Sequence, residues 1–155
     1  MDRYGYLKAA AAIPSVRVAD CAYNGGRIAA LVGRAAGRGV EVIVFPELSL
    51  TGYTCGDLFL QPALLAAAEE ALAELVRSTA EFNTAFAVGM PVAVDDMLYN
   101  CAVVAAAGEV LGVVPKRHIP AYAEFYESRW FASGAERPTV EIELCGQSVP
   151  FGTDL

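Results

Sequence analysis

The sequence predicts an α/β fold on a mixed sheet, with a βαβ start followed by antiparallel strands, and three observations carry that prediction. Residues 40–45, V-E-V-I-V-F, are rich in β-branched and aromatic side chains between Gly39 and Pro46, which reads as a strand buried on both faces. Ahead of it, Ile28, Leu31, Val32, Ala35 and Ala36 recur at helical spacing and make one apolar stripe. Beyond residue 85, short apolar runs are divided by Asp95-Asp96 and Gly108-Glu109, so those strands turn back on one another.

Taken in order, residues 7–13 read as a first, alanine-rich strand packed tightly against a neighbour, and residues 16–19 as a short extended piece after Pro14. Asn24 is a candidate cap for the helix that follows, since its side chain can accept from N–H groups the first turn leaves free. Gly37 and Gly39 end that helix and lead into the strand at 40–45, so the two strands are expected to be parallel neighbours. Pro62 suits the first turn of a second helix running to about residue 79, with Leu64, Leu65, Ala68, Leu72, Leu75 and Val76 on its buried side. Residues 85–89 form a strand closed by Pro91, residues 98–106 a long return strand, and residues 110–114 a third that ends in Pro115-Lys116. Residues 116–131 carry too many charges for a strand and read as a loop holding a short helix. Residues 139–144 alternate as a half-exposed strand, Gly146 turns it, and residues 149–151 return as a hairpin arm.

At 155 residues the chain fits one domain. Hydrophobic residues make up 55% of it, and the mean hydropathy of +0.41 argues for a heavily buried sheet. The longest apolar run, around residues 9–13, is interrupted by Pro14 and is far short of a membrane span. The N-terminus lacks a basic stretch followed by an apolar one, so the reading is a cytoplasmic protein without a signal peptide. A net charge of −7 excludes the basic face that nucleic acid requires. Four cysteines without a C-x-x-C pair, and a single histidine, His118, give no metal site and suit thiols kept reduced.

Two strands share one grammar. Each is an apolar run, then a proline that cannot donate to a ladder, then one charge: Pro46-Glu47 and Pro115-Lys116. Open α/β sheets place their chemistry at the carboxyl ends of strands. A carboxylate set there against apolar walls is partly desolvated, which raises its proton affinity toward what a general base needs. A solvated turn glutamate and a structural ion pair fit the same pattern, so pattern alone leaves site and bridge both open.

The wording around these charges is more specific. V-I-V-F-P-E-L-S-L-T-G-Y resembles the glutamate motif of the nitrilase, or carbon–nitrogen hydrolase, superfamily. V-V-P-K-R-H-I-P followed by E-F-Y-E-S-R-W-F-A-S-G resembles its lysine motif and the loop beyond. Within that superfamily, T-G-Y-T-C-G-D-L-F, L-Y-N-C-A and V-P-F-G-T-D-L are similar to the N-terminal glutaminase domain of bacterial glutamine-dependent NAD⁺ synthetases, from about residue 6 to residue 155.

That resemblance implies a nitrilase-like αββα sandwich with a Glu-Lys-Cys triad. Glu47 would be the general base, Lys116 would stabilise the oxyanion, and Glu127 would be the auxiliary glutamate that orients lysine and substrate amide. Tyr53, Tyr122 and Phe125 are candidates for the wall of a glutamine pocket, and no role falls to His118. The family cysteine follows a later strand, in a C-E-D-type turn beyond V-P-F-G-T-D-L, so residues 1–155 are expected to be a partial domain without it. Cys145, at the end of E-I-E-L-C-G, comes too early and has no acidic residue directly after it. ATP and Mg²⁺ are implied for a separate synthetase domain and not for this one. Asn24-Gly25-Gly26 lacks the lysine and hydroxyl of a phosphate loop. The implied partners are glutamine and, in the intact enzyme, further copies of the chain. The implied behaviour of 1–155 alone is inactivity and self-association through uncovered sheet. Another amidase or carbamoylase branch, and a non-catalytic interaction module, are the competing readings.

Overall fold

The computed structural model describes residues 5–136 and 139–154. Residues 1–4 and Leu155, the last of the V-P-F-G-T-D-L wording, lie outside them. Five strands form one sheet in the order β1 (Ala9–Ala11), β2 (Val42–Val44), β3 (Ala85–Val94), β4 (Met97–Ala106) and β5 (Glu109–Pro115). The first three run parallel, and β3, β4 and β5 are antiparallel neighbours. A hairpin of β6 (Glu141–Leu144) and β7 (Gln147–Pro150) follows. Its end joins β5 through Phe151, which bridges Val113 in parallel.

Helices α1 (Cys21–Ala36) and α2 (Pro62–Ser78) lie side by side over one face of the sheet. That face carries Phe86, Val88 and Met90 from β3 with Val103 and Cys101 from β4, all buried in one core with Ile28, Val32, Leu72 and Leu75 of the helices. The opposite face is apolar but open. Val44 is 44% exposed, and Ala102 on β4, opposite Gly89, is exposed as well. The expected burial of the 40–45 strand on both faces therefore holds only for the helix side. The second sheet that a four-layer sandwich needs is represented among the described residues only by the two-stranded β6–β7 hairpin.

Partners elsewhere in the chain explain most of the remaining differences. The first strand spans three residues and not seven, because its partner β2 is itself only three residues long. It is an edge, with Ala9 and Ala11 exposed. Asp20, and not Asn24, caps α1, accepting from the Tyr23 N–H at 3.2 Å. Asn24 lies inside the helix and buried, where its amide holds both main-chain groups of Arg17 and the carbonyl of Leu50. The Asn24-Gly25-Gly26 stretch is thus helix interior and precedes nothing.

Pro91 does not close its strand. The N–H of Ala85 donates to Glu41 while the carbonyls of Ala87 and Gly89 accept from Phe45 and Leu50, so odd-numbered main-chain groups of β3 face the β2 side. Pairing with β2 stops at Ala87. The N–H that Pro91 lacks would point where no strand lies, and the strand continues.

Candidate active site

The site forms where β2 and β5 end. After Val44 the chain turns tightly: Gly52 N–H donates to Leu48 at 2.7 Å and Leu50 N–H donates to Gly89 at 3.1 Å. Leu48 is buried with φ +50°, a left-handed backbone rare outside glycine. The loop rests directly on β3 at Gly89, where a Cβ would stand 2.2 Å from the Leu48 nitrogen. Only glycine admits that approach.

A second glycine backs the other strand end. Lys116 N–H donates to Asn100 at 2.7 Å, its carbonyl accepts from Gly134 at 2.9 Å, and a Cβ at Gly134 would lie 2.7 Å from the Pro115 oxygen. The loop beyond carries Glu127 on a 3-10 turn, Glu127–Arg129.

These supports bring three of the expected residues together. Lys116 Nζ donates to Glu47 Oε1 at 2.7 Å and to Glu127 Oε2 and Oε1 at 2.9 and 3.1 Å. Glu127 is 4% exposed and Glu47 is 42% exposed. Glu47 is thus more open to solvent than Glu127, and bonds hold it. Partial burial works against the charge on Lys116, but the two carboxylates outweigh it and hold its pKa above the ordinary lysine value. Tyr53 donates its hydroxyl to Glu127 Oε1 at 2.6 Å; burial and that carboxylate push its pKa well up.

Glu47 and Lys116 line one cleft of about 520 Å³, floored by Phe45, Gly89 and Val114. Tyr53, Phe125, Glu127 and Trp130 line a second hollow of about 260 Å³. The Lys116–Glu127 pair connects the two. Tyr122 lies outside both hollows, 71% exposed, with its ring edge-on to Phe125.

Two residues at the site carry functions the sequence reading did not assign. Asn100 is buried and donates to Glu47 Oε1 at 2.5 Å; the signal was an amide in the middle of an apolar strand. Asp57 accepts from Arg129 Nε at 2.7 Å, Arg129 Nη2 at 2.8 Å and Trp130 Nε1 at 2.9 Å. It fastens the turn bearing Glu127 to the loop after Glu47. Those bonds hold its carboxyl well below the usual carboxylate range.

The four thiols lie elsewhere or are closed in. Cys55 donates back to Thr51 and Gly52, and Cys21 is buried with its pKa pushed up to about 11 by burial. Cys101 borders the cleft but is 2% exposed, and burial raises its pKa strongly. Cys145 sits at the β6–β7 turn against Glu69 of α2, its pKa raised to about 11 by burial and that carboxylate.

An ammonium is clasped by two carboxylates where β2 and β5 end, on one edge of an α/β sheet with β3 and β4 between those strands. Residues 8–152 match the carbon-nitrogen hydrolase family, and the chain belongs to it. It is 41% identical over 154 residues to the glutamine-dependent NAD(+) synthetase of Mycobacterium tuberculosis, covering 99% of this chain and 22% of that protein. With the Aquifex aeolicus protein of the same name it shares 41% identity over 111 residues, 72% of this chain and 19% of the relative. The chain thus spans about a fifth of the length of the curated relatives it matches. The crystal structure of a glutamine-dependent NAD(+) synthetase from Cytophaga hutchinsonii superimposes with a TM-score of 0.86 at 27% identity, over 94% of this chain and 25% of that one. An amidase from Nesterenkonia sp. shares the fold, with a TM-score of 0.69 at 23% identity over 96% of this chain and 56% of its own. The expected nitrilase-like α/β class is borne out.

Proposed function

We propose that this chain is the ammonia-producing part of a glutamine-dependent NAD⁺ synthetase, hydrolysing the side-chain amide of glutamine. The observation that carries the reading is Lys116 held between Glu47 and Glu127 at the mouth of one cleft, in a chain 41% identical to such synthetases. Glu47 takes the proton of a cysteine thiol, and the thiolate attacks the amide carbon. Lys116 stabilises the oxyanion that forms, as a fixed cation where negative charge develops. Collapse releases ammonia with the proton from Glu47 and leaves a thioester. Glu47 then draws a proton from water, which attacks the thioester to give glutamate and restore the thiol. Glu127 keeps Lys116 charged and in place. Tyr53, bonded to Glu127, and Phe125 form the pocket wall.

The nucleophilic thiol belongs to another stretch of the natural protein. None of Cys21, Cys55, Cys101 or Cys145 combines exposure with a place beside Glu47 and Lys116. ATP and Mg²⁺ act, on this reading, in a separate synthetase unit that amidates nicotinic acid adenine dinucleotide. The helix starts here do not suit phosphate: a carboxylate, Asp20, caps α1, and Pro62 removes an N–H from the start of α2. We place the protein in the cytoplasm as a homo-oligomer. No helix among the described residues is long and apolar enough to cross a membrane.

Ammonia release from glutamine tests the proposal, measured on residues 1–155 and on the natural full-length protein that carries them. Release from the full-length protein alone is expected. Release from 1–155 that Cys145→Ala abolishes would move the nucleophile to Cys145. A full-length protein that leaves glutamine intact but hydrolyses N-carbamoyl compounds would replace this reading with a carbamoylase.

A further inference from the structure

The two oxygens of Glu47 are not equivalent. Oε1 accepts from Lys116 Nζ at 2.7 Å and from Asn100 Nδ2 at 2.5 Å. No donor among the described residues reaches Oε2. Asn100 is 3% exposed on β4, and its main-chain carbonyl also takes the Lys116 N–H at 2.7 Å. One residue therefore steadies the carboxylate through its amide and the lysine through its backbone.

We propose that Asn100 is a positioning residue: with Lys116 it occupies Oε1 of Glu47 and leaves Oε2 as the atom that takes and returns the proton. The chemistry rests on the glutaminase reading; the inequivalence of the oxygens rests on geometry alone. A carboxylate oxygen already holding two donors has little capacity left for a third, so the incoming proton goes to the open one. A donor to the ionised form favours that form, so removing it makes the carboxylate easier to protonate. A neutral amide does this without adding a charge. The ionisable groups facing Glu47 are Lys116 and Arg117 at the end of β5, Cys101 on β4, and Tyr53 and Glu127 beyond the cleft. Asn100 leaves that balance of charge unchanged.

An asparagine that merely satisfies itself in a strand would affect stability and leave the titration of Glu47 alone. The test uses Asn100→Leu and Asn100→Asp in the natural full-length protein, each checked by thermal melting. Glu47 is followed by infrared difference titration against Glu47→Gln, and by the acid limb of the kcat/KM profile for glutamine. In Asn100→Leu both midpoints are expected to move up by about one pH unit, and in Asn100→Asp by more, since a second carboxylate then faces Glu47. A folded Asn100→Leu protein with both midpoints unmoved would overturn the proposal. If that variant does not fold, an unmoved infrared midpoint in Asn100→Asp overturns it instead. Wild-type protein that releases no ammonia would defeat the glutaminase reading, while the infrared titration still decides the role of Asn100.

Discussion

The two strand ends that make the site look alike in sequence and are secured by different physics. After Pro46 the chain enters the core: Leu48, Ser49, Leu50 and Thr51 are all buried, and the loop lies on Gly89 with no space to spare. After Pro115 it leaves the core, and residues 121–124 are exposed before Glu127 turns inward. The loop behind the base is held mainly by packing, although the Glu47 carboxylate itself is held by bonds to Lys116 and Asn100; the loop bearing Glu127 is held by polar bonds. Close packing is stiff and intolerant of added volume, while a polar clasp yields unless it strands a buried charge.

Exchanging the two glycines puts the largest strain on that comparison. Gly89→Ala drives a methyl into buried backbone, and a loss of about 3 kcal/mol or more in urea unfolding is expected. Gly134→Ala presses on Pro115 at 2.7 Å, less closely than the 2.2 Å at Gly89, so about 1–2 kcal/mol is expected. Equal costs would mean that both ends are equally rigid.

Removing Lys116 should come next. Lys116→Met leaves Glu127, nearly inaccessible, without its cation, at about 3 kcal/mol by the same measurement. Glu47→Gln removes an exposed partner and should cost less than about 1 kcal/mol. The reverse order would show that Glu47, and not Glu127, anchors the lysine.

A smaller effect is expected from Asp57→Asn, which loosens the exposed clamp on the loop bearing Glu127. Because the folded carboxyl titrates below its unfolded value, its contribution is present above the unfolded range, about pH 4. It is lost as pH falls through the folded value. The Tm difference between wild type and variant should thus be constant at neutral pH and shrink in strong acid. The smallest effect belongs to Ser49, whose buried hydroxyl has no partner among the described residues. Ser49→Ala should leave Tm unchanged or raise it slightly, which would show that the Ser49 hydroxyl adds nothing to what holds the Glu47 loop.

What the sequence displayed was whatever depends on near neighbours. Helix stripes, turn residues and the repeated strand-proline-charge pattern located Glu47 and Lys116, and α2 begins at Pro62 as expected. What it hid depends on partners far along the chain. Pro91 breaks no ladder because β2 has ended beside it, a fact local pattern does not contain. Asn24 looked like a cap because its alternative partners, Arg17 and Leu50, were unknown. The sense of T-G-Y-T-C-G-D-L-F emerged only when Asp57 met Arg129 and Trp130, more than seventy positions away.

Trp130 is the sole indole in the sequence, and its N–H ends on the same carboxylate that fastens the lysine-side loop. Its ring touches Phe59 on one flank and Tyr126 on another. The molecule therefore carries its own fluorophore at the joint between its stiff and pliant halves. Emission from that one ring reports the seating of the loop without any label being attached.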